Sequence, residues 1–353
     1  VFICAEPLQL ADYIKSVRPT IFFGVPRVWE RFHAALTGKF ALATGGKAKM
    51  LAFAQAAGTA RSNAIDAGRS LSVSESLRYK VAEKLVFSKL REAMGLDRAH
   101  TFLTGAAPTP GPVAELFSSL GMELHEVYGQ TEGTACTTAN THKHSRKGTV
   151  GRAIQGTEMK IAEDGEVIFR GACTMTGYLG NEEATAETLV DGWIHTGDLG
   201  TIDDDGFLTI VGRKKDIIIN SSGKNIAPKA VEGLLTSLSD VSQAVCVGEG
   251  QRFLVALLTL DPERAESFAS ENGCDVSEVA EHPDFRALVA KAIEENVNAN
   301  LARVEHIRNF RILPQPFSPE NGETTVTFKI KRNVVVEKYD TQVQAMYEEG
   351  QIL

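Results

Sequence analysis

HTFLTGAAPTPGPVAELFSSLGMELHEVYGQTE, residues 100–132, is the stretch that decides the fold. His100–Leu103 reads as a strand, and it runs straight into the small-residue loop Gly105-Ala106-Ala107-Pro108. Pro112 to Leu120 has the spacing of a helix, and Gly121 supplies its stop. Glu123–Val127 reads as the next strand, and Tyr128-Gly129 follows at once. Two strands linked through one helix are expected to lie parallel. Both loops then sit at the carboxyl ends of neighbouring strands, the edge of an open α/β sheet where ligands bind.

Working outward, Val1–Cys4 reads as a buried strand, and Leu8 to Val17 as a helix that ends before Pro19. Thr20–Gly24 is a further strand, which implies a right-handed parallel crossover from the first and a chain that starts inside a domain. Val25-Pro26 opens a helix through Trp29 and Phe32; residues 41–66 are Ala-rich and helical; Ser74–Met94 is a long amphipathic helix closed by Gly95. After Gly148 the pattern changes. Met159–Ala162 and Glu166–Phe169 flank Glu163-Asp164-Gly165, a hairpin signal, and Phe207–Val211 after Asp203-Asp204-Asp205-Gly206 repeats it. Beyond Lys214-Lys215-Asp216 an α+β segment follows, with strands at Gln243–Val247, Phe253–Leu260 and through Ile312. The expected fold class is α/β: a partial large domain with a mainly parallel sheet over 1–147, an antiparallel β subdomain over 148–214, and a smaller mobile α+β domain over 215–353.

Composition narrows the function classes. The chain is 43% hydrophobic and 23% charged, the make-up of a folded globular protein. A net charge of -8 argues against a nucleic-acid surface. No apolar run approaches the roughly 20 residues of a membrane span. Five cysteines without a CxxC pair point to free thiols in a reducing compartment. His142 and His144 sit among Lys143, Arg146 and Lys147, which favours a solvated loop over a metal site. A cytoplasmic setting is expected, with peripheral membrane contact as a further expectation.

Five strings carry chemistry. Tyr128-Gly129-Gln130-Thr131-Glu132 offers a flat ring, a glycine for close approach, a hydroxyl and a carboxylate, groups suited to adenine, phosphate and a magnesium ion. Trp193-Ile194-His195-Thr196-Gly197-Asp198 places a carboxylate in a turn before a hairpin, where it could accept ribose hydroxyls or merely cap the turn. Gly212-Arg213-Lys214-Lys215-Asp216 adds a charged donor. Ser222-Gly223-Lys224-Asn225-Ile226-Ala227-Pro228 is a glycine loop that does not meet the GxxxxGK[ST] pattern, because Asn225 follows Lys224. Near the end, Lys329-Ile330-Lys331-Arg332 concentrates three cations.

In this order the strings resemble the core motifs of acyl-adenylate-forming ligases, most closely the long-chain fatty acyl-CoA synthetases. The resemblance covers essentially the whole chain. It implies a two-step reaction of fatty acid, ATP and CoA through an acyl-AMP intermediate, with Mg2+ as cofactor. It implies that Tyr128 and Gly129, with Gly105, Ala106 and Ala107, line the adenine pocket. Thr131 would contact phosphate and Glu132 would hold Mg2+. Asp198 and Arg213 would bind ribose, and Lys215 would be the hinge. Gly223, Lys224 and Asn225 would form the CoA loop, and Lys329 would serve the adenylation step, with Lys331 as runner-up. Phe22-Phe23-Gly24-Val25-Pro26-Arg27-Val28-Trp29-Glu30 resembles the border of the acyl pocket, with Gly24, Val25 and Trp29 as candidates.

The Ser-Gly-Thr-Thr-Gly-x-Pro-Lys-Gly type phosphate loop of that family is not found in these 353 residues; Thr44-Gly45-Gly46-Lys47 lacks the pattern. The expectation is a fragment that needs a complementing N-terminal half and does not turn over alone. Two alternatives stand beside it: a non-catalytic nucleotide- or lipid-binding remnant, and a fatty acyl-AMP ligase feeding a carrier protein.

Overall fold

The structure is a computed structural model that describes residues 9–325 and 329–353. The expected strand Val1–Cys4, and the crossover built on it, lie outside the described residues. The chain divides into two compact units, Val1–Ile210 and Val211–Leu353.

The first described helix of the first unit is amphipathic, Leu10–Val17, and buries Ile14. Strand β1 (Ile21–Gly24) pairs parallel with β2 (Thr101–Gly105), which pairs parallel with β3 (Leu124–Tyr128). Short strands β4 (Thr138–Ala139) and β5 (Arg152–Ala153) extend the sheet antiparallel. Helix Pro26–Ala41 starts with proline in its first turn, where the missing N–H costs nothing. Helix Gly45–Asp66 begins later than the Ala-rich run suggests, after a break at Ala43 and Thr44. The long amphipathic stretch is helical from Val73 to Met94, with a π-helical turn at Glu83–Phe87 and a left-handed Gly95 to end it. Helix Gly111–Ser119 connects β2 to β3. These helices close a core around Trp29, Phe87, Phe117 and Leu96, all with no exposed surface. Gly58 is required there: a Cβ would lie 2.1 Å from the Ser119 carbonyl oxygen, where two helices cross.

A second sheet follows in the order β10-β9-β7-β6. Its strands are β6 (Thr157–Ile161), β7 (Glu166–Gly171), β9 (Trp193–Ile202) and β10 (Leu208–Arg213), with the short β8 (Leu189–Val190) also on β9. The pairs β6–β7 and β7–β9 are antiparallel.

In the second unit, β11 (Ile218–Ile219) and β12 (Asn225–Ile226) form a small ribbon. Strands β13 (Val241–Val247), β14 (Leu254–Leu260) and β15 (Ile307–Leu313) form a mixed sheet, antiparallel then parallel. Strand β14 is buried along nearly its whole length, which its unbroken apolar sequence LVALLTL reflects. Helices Pro228–Thr236, Pro262–Asn272 and Pro283–Ala292 cover one face, and Arg332–Lys338 with Asp340–Glu349 cover the other.

Candidate active site

The centre of the first unit's site is a bond between residues 70 apart: the Tyr128 hydroxyl donates to Asp198 Oδ2 at 2.7 Å. Tyr128 ends β3, at the carboxyl edge of the parallel strands. Asp198 is not in a turn, as its glycine neighbour suggested; it lies inside the ten-residue β9 and is 6% exposed. Gly197 explains the discrepancy. Its φ is +71°, and the pairing of β7 with β9 shifts register between Glu166 and Ile168. A bulge thus carries the glycine within the strand and re-aims the carboxylate. Glu166, itself buried, holds that bulge: it accepts from the Gly197 N–H at 2.7 Å and lies 3.0 Å from His195 Nδ1. Thr196 Oγ1 donates to the Val167 carbonyl at 2.6 Å and accepts from the Asp198 N–H at 3.0 Å. Lys160 Nζ and the Arg170 guanidinium lie over the Trp193 ring, 4.3 and 4.7 Å from its centre.

Immediately after Tyr128 the chain turns tightly. A Cβ at Gly129 would lie 2.0 Å from the Ala135 carbonyl oxygen, so the close approach this glycine permits is to its own loop. Thr134 and Ala135 both have positive φ, +55° and +77°, an uncommon pair of non-glycine outliers. Thr131 and Glu132 lie in this turn, Thr131 exposed and Glu132 half-buried. The segment 173–178 fixes it from outside. The Tyr178 hydroxyl donates to Glu132 Oε1 at 2.7 Å, the Met175 N–H donates to the Glu132 carbonyl at 2.8 Å, and Thr134 Oγ1 donates to the Cys173 carbonyl at 2.8 Å. The hydrogen bond to Glu132, followed by burial, pushes the Tyr178 hydroxyl pKa up. One carboxylate suits Mg2+ arriving with nucleotide phosphates, since that ion keeps waters and phosphate oxygens for most of its ligands.

The small-residue loop is the third part. Gly105 has to be glycine, because a Cβ would lie 2.7 Å from the Val127 carbonyl oxygen. Ala106 has φ +70°, and Ala106 and Ala107 are exposed. The loop is tied down by Glu126, whose Oε1 accepts from the Thr109 N–H at 3.0 Å, and by a 2.9 Å contact between the Thr104 and Thr109 hydroxyls. Burial raises the Glu126 carboxyl from its ordinary 4.5 to about 7, against the opposing effect of the Thr109 hydrogen bonds.

The acyl-pocket candidates divide. Trp29 has no exposed surface; its indole N–H lies 3.1 Å from the Gly24 carbonyl and 3.2 Å from that of Leu103, and Phe22, Phe32, Phe102 and Phe117 surround it edge-on. Its observed role is to anchor the core and the end of β1, because a fully enclosed ring offers nothing to a ligand. Gly24 is buried and Val25 is 42% exposed.

In the second unit, Arg213, Lys214 and Lys215 are exposed at the end of β10 and in the turn after it. Gly223, Lys224 and Asn225 belong to a turn organised by Asn220, a residue outside the motif strings. The Asn220 side-chain oxygen accepts from the Ser222 and Lys224 N–H groups at 3.0 and 2.9 Å, and its carbonyl accepts from Gly223. Gly223 has φ +71° with open space around it. Lys329 is exposed, and its N–H donates to Thr325 Oγ1 at 3.1 Å. Residues 326–328, just before it, lie outside the described residues. The base of this segment is firm. Glu323, fully buried, accepts from Lys338 Nζ and the Tyr339 hydroxyl, each at 2.9 Å. Burial opposes its ionisation, but those bonds and one from the Ser318 N–H outweigh burial and lower its pKa. Arg332, the third cation of the string, is a structural residue: it pairs with buried Glu232 and donates to the Cys246 carbonyl at 2.6 Å.

Among the described residues, no group of three or more His, Cys, Asp or Glu is placed to hold a metal ion. His142 is exposed and lies 3.2 Å from buried His125. The four described cysteines are free thiols, and no helix of the described residues is long and apolar enough to cross a membrane. Glu126, Glu166, Tyr178, Asn220 and Glu323 are the site-supporting residues that motif reading passed over; each is a single polar residue whose partner is distant in sequence or on an adjoining turn.

Comparison with known proteins gives the same frame. The sequence profile described as AMP-binding enzyme matches residues 2–179, and that of the AMP-binding enzyme C-terminal domain matches residues 215–351. The chain is 37% identical over 343 residues to the long-chain-fatty-acid–CoA ligase FadD15 of Mycobacterium bovis, covering 96% of this chain and 56% of that protein. It is 34% identical over 370 residues to the long-chain-fatty-acid–CoA ligase ACSBG2 of Xenopus laevis, covering 97% and 49%. The chain thus spans about half to three fifths of the length of the curated relatives it matches. The crystal structure of the adenylation domain of a carboxylate reductase from Mycobacterium chelonae shares the fold, with a TM-score of 0.72 at 20% identity, covering 98% of this chain and 49% of that one. This chain belongs to the AMP-binding enzyme family.

Proposed function

We propose that this chain belongs to an AMP-forming long-chain fatty acid–CoA ligase. The observation that carries the reading is the Tyr128–Asp198 bond, which unites the two nucleotide strings at the carboxyl edge of the sheet, beside the turn that carries Glu132. Names of relatives 34–37% identical supply the substrate class.

In this reading a fatty carboxylate attacks the α-phosphate of ATP and releases pyrophosphate. The CoA thiol then attacks the acyl carbonyl, loses its proton and expels AMP. Tyr128 lies against adenine with Gly105, Ala106 and Ala107; Asp198 accepts from ribose hydroxyls, with Arg213 as a charged donor. Thr131 contacts phosphate, and Glu132 would hold Mg2+, which would offset phosphate charge when bound. Lys329 stabilises charge developing at the α-phosphate. Lys215 is the hinge, and Gly223, Lys224 and Asn225 serve the thioester step, the open space at Gly223 leaving room for the pantetheine arm. Val25 and Gly24 border the acyl chain.

The test joins this chain to the upstream portion of a related ligase and supplies ATP, Mg2+, palmitate and CoA. Palmitoyl-CoA should form. Lys329→Ala should abolish palmitate-dependent pyrophosphate exchange while leaving conversion of supplied palmitoyl-AMP largely intact; Gly223→Leu should do the reverse. Equal loss of both half-reactions in either variant would refute the division of roles, and absence of palmitoyl-CoA from a folded, AMP-binding protein would refute the ligase reading.

A further inference from the structure

The second unit carries a basic pocket whose lining residues belong to none of the motifs considered above. It has a volume of about 150 Å³ and is lined by Arg252, Phe253, Arg303, Val304, His306 and Arg308, together with one residue of the terminal segment. Two parallel strands create it. Arg252 and Phe253 immediately precede β14, Arg308 lies on β15, and the register pairs Leu254 with Ile307. The strand starts are therefore level, and side chains from both arrive at one edge. Arg303 opens the single helical turn Arg303–Glu305 that leads into β15.

The charges are what set the pocket apart. Nearby Arg311 and Arg286 are paired with Glu349 and Glu281, at 2.7 and 3.3 Å. Arg252, Arg303 and Arg308 have no carboxylate partner among the described residues, in a chain whose net charge is -8. His306 supports the arrangement. Its Nε2 lies 3.3 Å from the Leu301 carbonyl, to which it can only donate, so Nδ1 is the acceptor for Arg308 Nη2 at 3.2 Å. That orients one guanidinium and adds no negative charge. Three unneutralised guanidiniums converging on a small concavity match a doubly charged group with several acceptor oxygens.

We propose that this pocket binds the phosphate monoester of a soluble ligand. A flat lipid surface is the poorer match, because the basic residues gather in a small recess of an otherwise acidic protein. The inference does not rest on the ligase reading, although the 3′-phosphate of CoA is one monoester of this class. The experiment titrates the purified 353-residue chain calorimetrically with inorganic phosphate, CoA, 3′-dephospho-CoA, and vesicles containing anionic phospholipid, at constant ionic strength. Inorganic phosphate or CoA should bind. Arg252→Gln and Arg303→Gln should each weaken binding by about tenfold, the scale of one charge-assisted hydrogen bond. Lys291→Gln, the same charge change at a well-exposed lysine, should leave it unchanged. Far-UV circular dichroism checks that the arginine variants fold. If CoA is the source, 3′-dephospho-CoA should bind about tenfold more weakly than CoA; if inorganic phosphate alone binds, the source is a free phosphate. Loss of affinity in Lys291→Gln equal to that in the arginine variants would overturn the site. So would vesicle binding with neither phosphate nor CoA bound, which would make the patch a lipid contact.

Discussion

Glu126 allows a quantitative test of how the small-residue loop after β2 is held. Its carboxyl fixes the Thr109 amide at 3.0 Å, and burial raises its pKa from 4.5 to about 7. A raised carboxyl pKa means that the folded state holds the proton more tightly than the unfolded chain. The stabilisation is fully present below pH 4.5 and is lost as pH rises through 7. Above that the full penalty is about 3 kcal/mol, from about 1.4 kcal/mol per pH interval of one. Glu126→Gln keeps an acceptor for the Thr109 amide and cannot ionise. Relative to that variant, the native protein should lose about 2 kcal/mol between pH 5.5 and 8.5, the part of the penalty that falls within this interval. Both tryptophans, Trp29 and Trp193, lie in the first unit, so denaturant unfolding followed by tryptophan fluorescence reads the unit that contains Glu126. A gap between the two proteins that is the same at both pH values would show that Glu126 does not titrate in this range, and would remove it as the pH-sensitive tie of the loop.

Tyr178→Phe removes the hydroxyl that fixes Glu132; in the joined ligase KM for Mg·ATP should rise about tenfold or more, from 1.5–3 kcal/mol for a hydrogen bond to a charge, whereas an unchanged KM would make Tyr178 mere packing. Gly129→Ala drives a methyl into the Ala135 carbonyl and should destabilise the first unit by about 1–3 kcal/mol, read by the same fluorescence assay. Arg332→Met strips buried Glu232 of its main partner; Lys229 at 3.2 Å compensates in part, so about 3 kcal/mol should be lost. Cys246, 1% exposed, should then react with a thiol reagent about a hundredfold faster under native conditions, followed by peptide mass spectrometry.

The sequence by itself determined the periodic and the local. Alternation and apolar runs in residues 100–132 specify the parallel pair β2–β3, because strand period, helix period and glycine stops are properties of neighbouring residues. The motif strings were legible for the same reason, each being a contiguous run. Tertiary structure alone decided what joins distant positions. Asp198 reads as a turn residue because Gly197 precedes it, yet a bulge, opposite a strand some thirty residues earlier, places it within β9 and against Tyr128. Arg332 reads as one more cation beside Lys329, and Glu232, a hundred residues away, makes it an ion-paired anchor. Trp29 reads as a pocket border until the rings of Phe102 and Phe117 close over it. A side chain's burial, partner and charge state depend on which segments pack beside it, and that is settled by the folded chain rather than by the residues on either side.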